Sequence, residues 1–364
     1  METFSSTYRL ELHTGPQSFA GNQLRSNWDR ALERSRFDSL FLSHGWLSAC
    51  LETYGYGEHI FVPTVWRGTE LVASALLHSQ NGIVQFVGIE QSDYLDFILS
   101  KDLDSAAACY VTGLMLSAVA DATPGFRHFD LRMIRKDSGL ADLLNGIDGL
   151  FPLETQVIVA PSMDMTTAPE ALKKKSLVRH ERKLLKMGNL TADTFRRARD
   201  IDPRLEEFFE QHIRRWKDTP YPSLFLNPKD CDFYRAVVRN LDNTGMLRFT
   251  ELRLDGRLIA AHFGFSKSGV FTWYKPTFEP SLSKFSPGEV LIKRLIEAAQ
   301  TEGCEEFDFT IGNEMFKRRF ATDFRRVVRV IVTTSFLKTR IFRAYRDGRR
   351  MLSNVKSALM RKKN

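Results

Sequence analysis

The chain has 364 residues, of which 43% are hydrophobic and 26% charged, so it has an ordinary globular composition and the length of one large or two smaller domains. Its four cysteines form no C-x-x-C pair, which argues against a disulfide scaffold or a zinc ribbon and favours a reducing compartment. The formal net charge is +8, but residues 338–364 alone carry ten Lys or Arg and one Asp, or +9, which leaves 8 − 9 = −1 for the rest. A near-neutral body argues against DNA as a partner.

The first 160 residues predict a mixed helix and strand unit. FLSHGWLSACLETYG predicts a helix around Trp46, and IFVPTVWRGTELVASALLHSQNGIVQFVG predicts three strands that turn at its R-G and N-G pairs. SDYLDFIL predicts a short strand. The apolar run that starts at Ala106 predicts a buried helix too short to span a membrane, and FRHFDLRMI predicts the next strand.

Residues 161–200 predict a linking basic helix. TAPE has the form of a capping box, and Gly188 is a natural stop for the run ALKKKSLVRHERKLLKMG. Its eight basic-type side chains allow two interpretations. They form either a solvated helix face or an electropositive wall for an anionic ligand or for the other domain.

The C-terminal part repeats the order of the first. PRLEEFFEQHIRRW and NPKDCDFYRAVVRNL predict helices, and MLRFTELRLDGRLIAAHFGFSKSGVFTWYKPTF predicts three antiparallel strands that turn at D-G and S-G. A further helix and two more strands, EEFDFTI and VVRVIVTTSF, follow. The sequence therefore predicts a doubled α+β unit, with lobes at 1–160 and 201–337, the linking helix between them and a basic tail at 338–364.

The turn SPGE at the start of the last predicted helix is the clearest candidate binding element. Ser286 and Glu289 match a capping box, and Pro287 suits the first helical position. Gly288 costs up to about 1 kcal/mol against alanine inside a helix, so its presence suggests close approach of an anion to the amides of the first turn. The alternative is a good cap and nothing more. The Glu289 carboxylate opposes a phosphate there unless it turns away.

The first lobe has no such glycine. At the corresponding place it has SKDLDSAAA, with Asp102 and Asp104. If the turn binds a phosphate, only the second lobe can do so.

Several common catalytic patterns are absent. The sequence contains no G-x-x-x-x-G-K-[ST], no H-E-x-x-H and no G-x-S-x-G. The match of SLSK to S-x-x-K is short enough to arise by chance. The sequence therefore gives no support to a nucleotide-hydrolysing enzyme, a hydrolase or a metal site.

An ordered set of short motifs resembles the CelD-like family of cellulose-biosynthesis-associated acetyltransferases, which have the GNAT acyltransferase fold. The set comprises a dG-x-x-iA strand, an s-P-G-x-x-L turn, a helix ending in glycine, an fDf strand followed by glycine and an acidic residue, and an fK pair. An H-x-x-r-w element and an sDy-x-d element lie nearer the N-terminus, so the resemblance covers roughly residues 35 to 330. A similar set marks the FemABX aminoacyl transferases, which are also tandem GNAT proteins. The motif residues here are Asp93, Tyr94, Asp96, His212, Trp216, Asp255, Gly256, Ile259, Ala260, Ser286, Pro287, Gly288, Leu291, Gly303, Phe307, Asp308, Phe309, Gly312, Glu314, Phe316 and Lys317.

The resemblance implies two tandem GNAT-like lobes, the first degenerate, and a donor of acetyl-CoA or another acyl-CoA without a metal. It places the donor pyrophosphate on the amides of Gly288, Glu289 and Val290. Pro287 has no N–H and shapes the turn, which Ser286 opens.

Acyl transfer needs a base and a donor for the developing oxyanion. Asp308 and Lys317 are the first candidates, with His262, Tyr274 and Glu314 behind them. Each has a structural alternative. Asp308 could have a buried partner, His262 could be a packed, hydrogen-bonded core residue, and Lys317 could be an exposed helix charge.

The acceptor contacts are expected from the first lobe, where Asp93, Tyr94 and Asp96 are candidates; the alternative is a turn at a strand edge. The resemblance implies an N- or O-acyltransferase, expected to be an acetyltransferase, that acts on a small-molecule or glycan-precursor acceptor of an envelope polysaccharide. FemABX-like transfer from aminoacyl-tRNA and a non-catalytic scaffold or regulator remain alternatives.

We expect a cytoplasmic protein, because the N-terminus METFSSTYRLELHTG lacks the pattern of a signal peptide. The basic tail has an apolar stripe that includes Ile341, Tyr345 and Leu352, flanked by arginines. Such a helix can lie on an anionic membrane surface, at the inner face of the membrane, or it can pack on the protein itself.

Overall fold

The computed structural model describes residues 7–57 and 59–335. Within these residues the chain forms two compact units, the first made of residues 7–38, 56–158 and 326–335 and the second of residues 39–55 and 159–325. Two predicted boundaries need correction. Residues 161–200 are part of the second unit, since Leu177 and Leu184 lie in its core. Residues 39–55 also belong to it, because Trp46 packs on Phe233 and Tyr274. The predicted tail at 338–364 lies outside the described residues.

The helices and strands, numbered along the chain, are β1 (Arg9–Thr14), α1 (Asn22–Glu33), α2 (His44–Tyr54), β2 (Ile60–Arg67), β3 (Glu70–Ser74), β4 (Leu77–Gln80), β5 (Ile83–Phe86), β6 (Ile98–Leu99), α3 (Ser105–Ala122), β7 (His128–Arg135), α4 (Leu140–Leu143), β8 (Phe151–Asp164), α5 (Ala168–Leu172), α6 (Lys175–Leu185), β9 (Leu190–Phe195), α7 (Ala198–Ile201), α8 (Leu205–Trp216), α9 (Pro228–Leu241), β10 (Leu247–Leu254), β11 (Arg257–Lys267), β12 (Val270–Phe278), α10 (Pro287–Thr301), β13 (Glu306–Asp308), α11 (Met315–Phe320) and β14 (Asp323–Thr333).

The sheet of the first unit has the order β6-β3-β2-β4-β5-β7-β14-β8, with β1 paired to β2. The pairing of β5 with β7 is parallel, and those of β1 with β2, β2 with β3, β2 with β4, β3 with β6, β4 with β5 and β7 with β14 are antiparallel. Residues 60–87 form four strands and not the predicted three, because the second predicted strand is interrupted between Ser74 and Leu77. The strand predicted from SDYLDFIL shrinks to Ile98–Leu99.

The sheet of the second unit has the order β8-β13-β12-β11-β10-β9. The pairing of β12 with β13 is parallel and the others are antiparallel. Helix α10 buries one face in the core of this unit, through Val290, Leu291, Leu295, Ile296 and Ala299. Burying a leucine or isoleucine side chain contributes about 1.5 to 3 kcal/mol, so this face fixes α10 on the sheet. The predicted fold class is confirmed: the chain is of α+β type, with mixed, mostly antiparallel sheets and flanking helices.

The predicted hairpin turns are present, and their backbone explains their sequences. Asp255 and Gly256, which join β10 to β11, have φ of 48° and 78°, and the Ser268-Gly269 pair has the same geometry. Both central residues of such a turn need positive φ, which Asp, Asn and Gly tolerate best. The two central residues of each turn therefore account for the positions of these hairpins.

By length and composition alone, helix α3 could cross a membrane. It is the one helix among the described residues that meets this criterion. Asp104 caps it, and Val111, Met115 and Val119 are buried in the first unit. The prediction that this run is too short to span a membrane is therefore wrong, since α3 has 18 residues. Core helices commonly meet the same criterion, and these buried positions agree with the predicted buried helix.

Candidate functional site

Strands β12 and β13 pair over a short distance and then separate. Their register runs from Val270 to Thr272 on β12, and no further pairing of these strands is described. Beyond that point the chain after β13 turns to β8, where the Phe309 amide donates to the Pro161 carbonyl at 3.0 Å. The second half of β12 therefore has a strand edge without a described strand partner on this side. Helix α10 begins shortly after this half of β12.

The start of α10 is not a capping box. Ser286 is in the left-handed conformation (φ 54°, ψ 52°), and its hydroxyl makes no capping bond. Its carbonyl instead accepts the amides of Glu289 at 3.0 Å and Val290 at 3.3 Å. These two amides are therefore already engaged, which corrects the prediction that they are free for a phosphate. No acceptor for the Gly288 amide, and no partner for the Ser286 hydroxyl, lies among the described residues.

A side chain at Gly288 would make a tight contact with a neighbouring ring. A Cβ at this position would lie 3.3 Å from Cδ1 of Phe278, at the end of β12. The guanidinium of Arg215, from α8, lies 3.5 Å from the centroid of the same ring. The Phe278 ring thus contacts both the first turn of α10 and a cation.

The Glu289 carboxylate, which opposed a phosphate in the sequence argument, is occupied by other groups. Its Oε1 accepts a hydrogen bond from Arg319 of α11 at 2.8 Å, and its Oε2 lies 3.1 Å from Nδ1 of His180 of α6. The pair with Arg319 offsets the negative charge of the carboxylate. The objection to an anion at this helix start is therefore weaker than the sequence alone suggested.

His262 lies in the core of the second unit, on β11. Its Nε2 accepts the amide of Tyr274 at 3.1 Å, and its ring stacks on Trp273 with centroids 4.9 Å apart. Tyr274 lies opposite a register shift between β11 and β12, where the regular ladder is interrupted. The imidazole also occupies the space that a Cβ at Gly264 would need. The geometry favours the alternative of a hydrogen-bonded core histidine.

Burial lowers the pKa of His262 to about 3 from 6.5. As the pH falls, the unfolded chain therefore binds this proton first, so the contribution of His262 to the free energy of unfolding is full above pH 6.5 and is lost towards pH 3. One such group accounts for up to about 5 kcal/mol. We expect His262→Gln, which can still accept the Tyr274 amide but does not titrate, to unfold less steeply with acid. Urea unfolding at pH 7 and pH 4 measures this, and exposed His59→Gln is the control that should behave as the wild type.

Asp308 is buried at the end of β13. Its Oδ1 accepts the amide of Thr310 at 2.7 Å, and Thr310 has a φ of 57°. A carboxylate that accepts an amide two residues on stabilises a left-handed turn of this kind. Asp308 therefore shapes the loop that leaves the sheet after β13.

Lys317 holds the same loop from the other side. Although it lies on α11, it is 4% exposed, so the alternative of an exposed helix charge is wrong. Its Nζ donates to the Ile311 carbonyl at 2.5 Å and lies 3.2 Å from Oε2 of Glu314, whose side chain is half exposed. Gly312, at φ 125°, leaves room for this ammonium, since a Cβ there would lie 2.8 Å from Nζ. The motif residues Gly312, Glu314 and Lys317 thus form one cluster.

Tyr274 is buried in an aromatic cluster with Trp46 and Phe265. The ammonium of Lys275 lies 4.5 Å from its ring centroid. In the first unit, Tyr94 and Asp96 are both buried. Oδ1 of Asp96 accepts the Phe97 amide at 2.7 Å, and burial raises the pKa of Asp96 to about 7.

Sequence reasoning missed a cationic group at the end of α8. Arg215 is half-buried, burial lowers its pKa, and no acidic partner for it lies among the described residues. His212, one turn earlier, shares a hydrogen bond of 2.8 Å with the Ser223 hydroxyl, and burial together with Lys275 and Arg215 lowers its pKa to about 3. The motif H-x-x-r-w contained the signal, since Arg215 stands between its two named residues.

The described residues contain no group of three or more His, Cys, Asp or Glu that could hold a metal ion.

Comparison with known proteins identifies the class. Residues 172–318 match the family model described as the acetyltransferase (GNAT) domain. No curated protein was found to match the sequence. The second unit therefore contains a GNAT domain.

Three solved structures have a similar fold. FemX has a TM-score of 0.63 at 10% identity, covering 85% of this chain and 95% of its own. The C-terminal domain of a putative lysylphosphatidylglycerol synthetase from Agrobacterium fabrum has a TM-score of 0.56 at 12% identity, covering 88% of this chain and 94% of its own. L-PGS from Bacillus licheniformis has a TM-score of 0.52 at 12% identity, covering 81% of this chain and 94% of its own. At these identities the likeness establishes the fold alone.

Proposed function

We propose that the protein is an acyl-CoA-dependent acyltransferase of the GNAT type, and that its second unit binds the donor beside the start of α10. The observation that carries this proposal is the match of residues 172–318 to the GNAT domain. The separation of β12 from β13 next to the helix start supports it. Acetyl-CoA is the proposed donor.

The donor phosphates would be bound by the Gly288 amide and the Ser286 hydroxyl at the start of α10, and by the Arg215 guanidinium at the end of α8. The positive end of a helix and a cation both favour an anion. Where β12 has separated from β13, its edge offers backbone N–H and C=O groups to the amide groups of the donor arm, as an edge strand does to an added strand.

For the chemical step we place Glu314 and Lys317 first. The acceptor amine or hydroxyl attacks the thioester carbonyl, the C–S bond breaks, the CoA thiolate leaves, and a base takes the acceptor proton. Glu314 is the most exposed carboxylate among the candidates, and Lys317 lies against it. His262 and Tyr274 are buried in the core, and Asp308 shapes the loop, so these three act as positioning residues.

The acceptor we propose is a precursor of an envelope or exopolysaccharide, modified on nitrogen or oxygen in the cytoplasm or at the inner face of the membrane. The support for this is the motif resemblance to the CelD-like family. Asp93, Tyr94 and Asp96 of the first unit remain the proposed acceptor contacts. The Asp96 carboxyl, with a pKa of about 7, can change its charge near neutral pH.

A second candidate is aminoacyl transfer from a charged tRNA. The observation in its favour is the fold similarity to FemX over 85% of this chain. The two candidates differ in the donor, so donor binding separates them.

The test is calorimetry with acetyl-CoA, followed by release of free thiol in the presence of amino sugars and polysaccharide precursors. We expect one acetyl-CoA to bind per chain and thiol release to depend on an acceptor. Absence of CoA binding together with aminoacyl transfer from charged tRNA would support the second candidate. Absence of both activities would favour a non-catalytic role.

A further inference from the structure

Helices α5 and α6 and the short joints beside them present a strongly basic outer surface, which we call the basic face. It borders an open cleft of about 520 Å³ that Val178 also lines. All six of its cations are exposed. They are Lys173, Lys175, Arg179, Arg182, Lys183 and Lys186.

The charge of the basic face is not balanced by its own helix. Glu181 is the one acid between residues 173 and 187, and it turns inward to α10, where it lies 3.1 Å from Lys293 and 2.6 Å from Arg294. Among the described residues, Lys173 alone of the six has an ion pair, with Glu170 at 2.7 Å. Like charges three and four positions apart weaken a helix, and a merely solvated face usually mixes both signs. This surface is therefore built for an anionic partner.

Exposed apolar side chains stand at the C-terminal end of the basic face. Leu185 is 51% exposed and Met187 is 43% exposed. The inner side of α6 is already packed, since Leu177 and Leu184 are fully buried. Leu185 and Met187 thus add apolar surface that the core does not use, next to Lys183 and Lys186. Cations beside exposed apolar side chains suit the boundary between lipid headgroups and acyl chains.

We infer that the basic face docks the second unit on an anionic phospholipid surface. RNA is the competing polyanion, but the cleft lining has no aromatic ring to stack on a base and no amide or hydroxyl side chain to contact base edges. Leu185 and Met187 would gain little from a phosphodiester backbone. The inference concerns a surface distinct from the start of α10 and does not depend on acyl transfer.

The test uses full-length protein and co-sedimentation with vesicles of phosphatidylcholine, with or without phosphatidylglycerol. We expect binding to the phosphatidylglycerol vesicles that weakens with salt. The variant with Arg179, Arg182, Lys183 and Lys186 all changed to Gln should bind roughly 10²- to 10³-fold more weakly, as for the loss of four charges near a membrane surface. Leu185→Ser with Met187→Ser should lower the binding that remains at high salt.

The matched control changes four exposed cations elsewhere, Lys101, Arg127, Arg199 and Lys229, to Gln and should bind as the wild type. Circular dichroism of both variants checks that they fold. The inference is overturned if the wild type does not bind anionic vesicles, or if the basic-face variant binds them as tightly as the control. It is also overturned if that variant loses only binding to tRNA, measured by filter retention, since the face would then be an RNA surface.

Discussion

Gly288→Asp is expected to abolish binding of acetyl-CoA while the protein stays folded. The new Cβ would press on the Phe278 ring at 3.3 Å, and that ring is held on Arg215. The new carboxylate would stand in the first turn of α10, where it suits the helix dipole but repels a phosphate. Since a hydrogen bond to a charged group contributes about 1.5 to 3 kcal/mol, loss of the Gly288 contact alone would weaken binding roughly 10- to 10²-fold. Calorimetry measures the affinity, and thermal unfolding measures stability.

Two controls separate charge from bulk. Gly288→Ala adds the same Cβ without the charge and should weaken binding less. Gly21→Asp places a carboxylate before another helix, α1, where a Cβ meets no atom within 4 Å, and should leave binding unchanged. If Gly288→Asp binds acetyl-CoA as tightly as the wild type, the donor site is not at this turn.

Features that depend on residues close together in the sequence were easier to predict than features that depend on distant ones. The D-G and S-G hairpins depend on neighbouring residues and were predicted. The Asn227 cap of α9 and the Asp104 cap of α3 are equally local. The Ser286 cap was wrong, because a capping pattern does not reveal that Ser286 takes the left-handed conformation.

The partners of the site residues lie far away in sequence, and this limits what sequence reasoning could find. Glu289 contacts His180, which is 109 positions away in the sequence, and neither segment has a pattern that predicts this contact. The structural role of His262 depends on its hydrogen bond with the Tyr274 amide and on the space left by Gly264. Both exist only because β11 and β12 pair with a shifted register. By contrast, the short spacing of Gly312, Glu314 and Lys317 allowed the motif to be recognised before its geometry was known.

Lys317→Met is expected to reduce turnover by about 10²-fold or more, the typical effect of losing a group that stabilises charge in the transition state. The substitution keeps the length of the side chain but removes the ammonium that lies on Glu314 and on the Ile311 carbonyl. Stability should fall by about 1 to 3 kcal/mol, because the part-buried Ile311 carbonyl loses its donor. The rate of thiol release from acetyl-CoA at saturating acceptor and the free energy of unfolding in urea measure the two effects.

The matched control is Lys293→Met on α10. Lys293 is also a largely buried lysine with ion pairs, to Glu181 at 3.1 Å and to Glu297 at 2.5 Å, but it does not hold the loop after β13. Its loss should lower stability by a similar amount and leave turnover near the wild-type value. Gly312→Ala should also lower turnover, because its Cβ would crowd the Glu314 carboxylate and the Lys317 ammonium at a φ of 125° that L side chains rarely adopt. If both lysine variants lose activity equally, and only as far as they lose stability, Lys317 stabilises the fold and takes no part in acyl transfer.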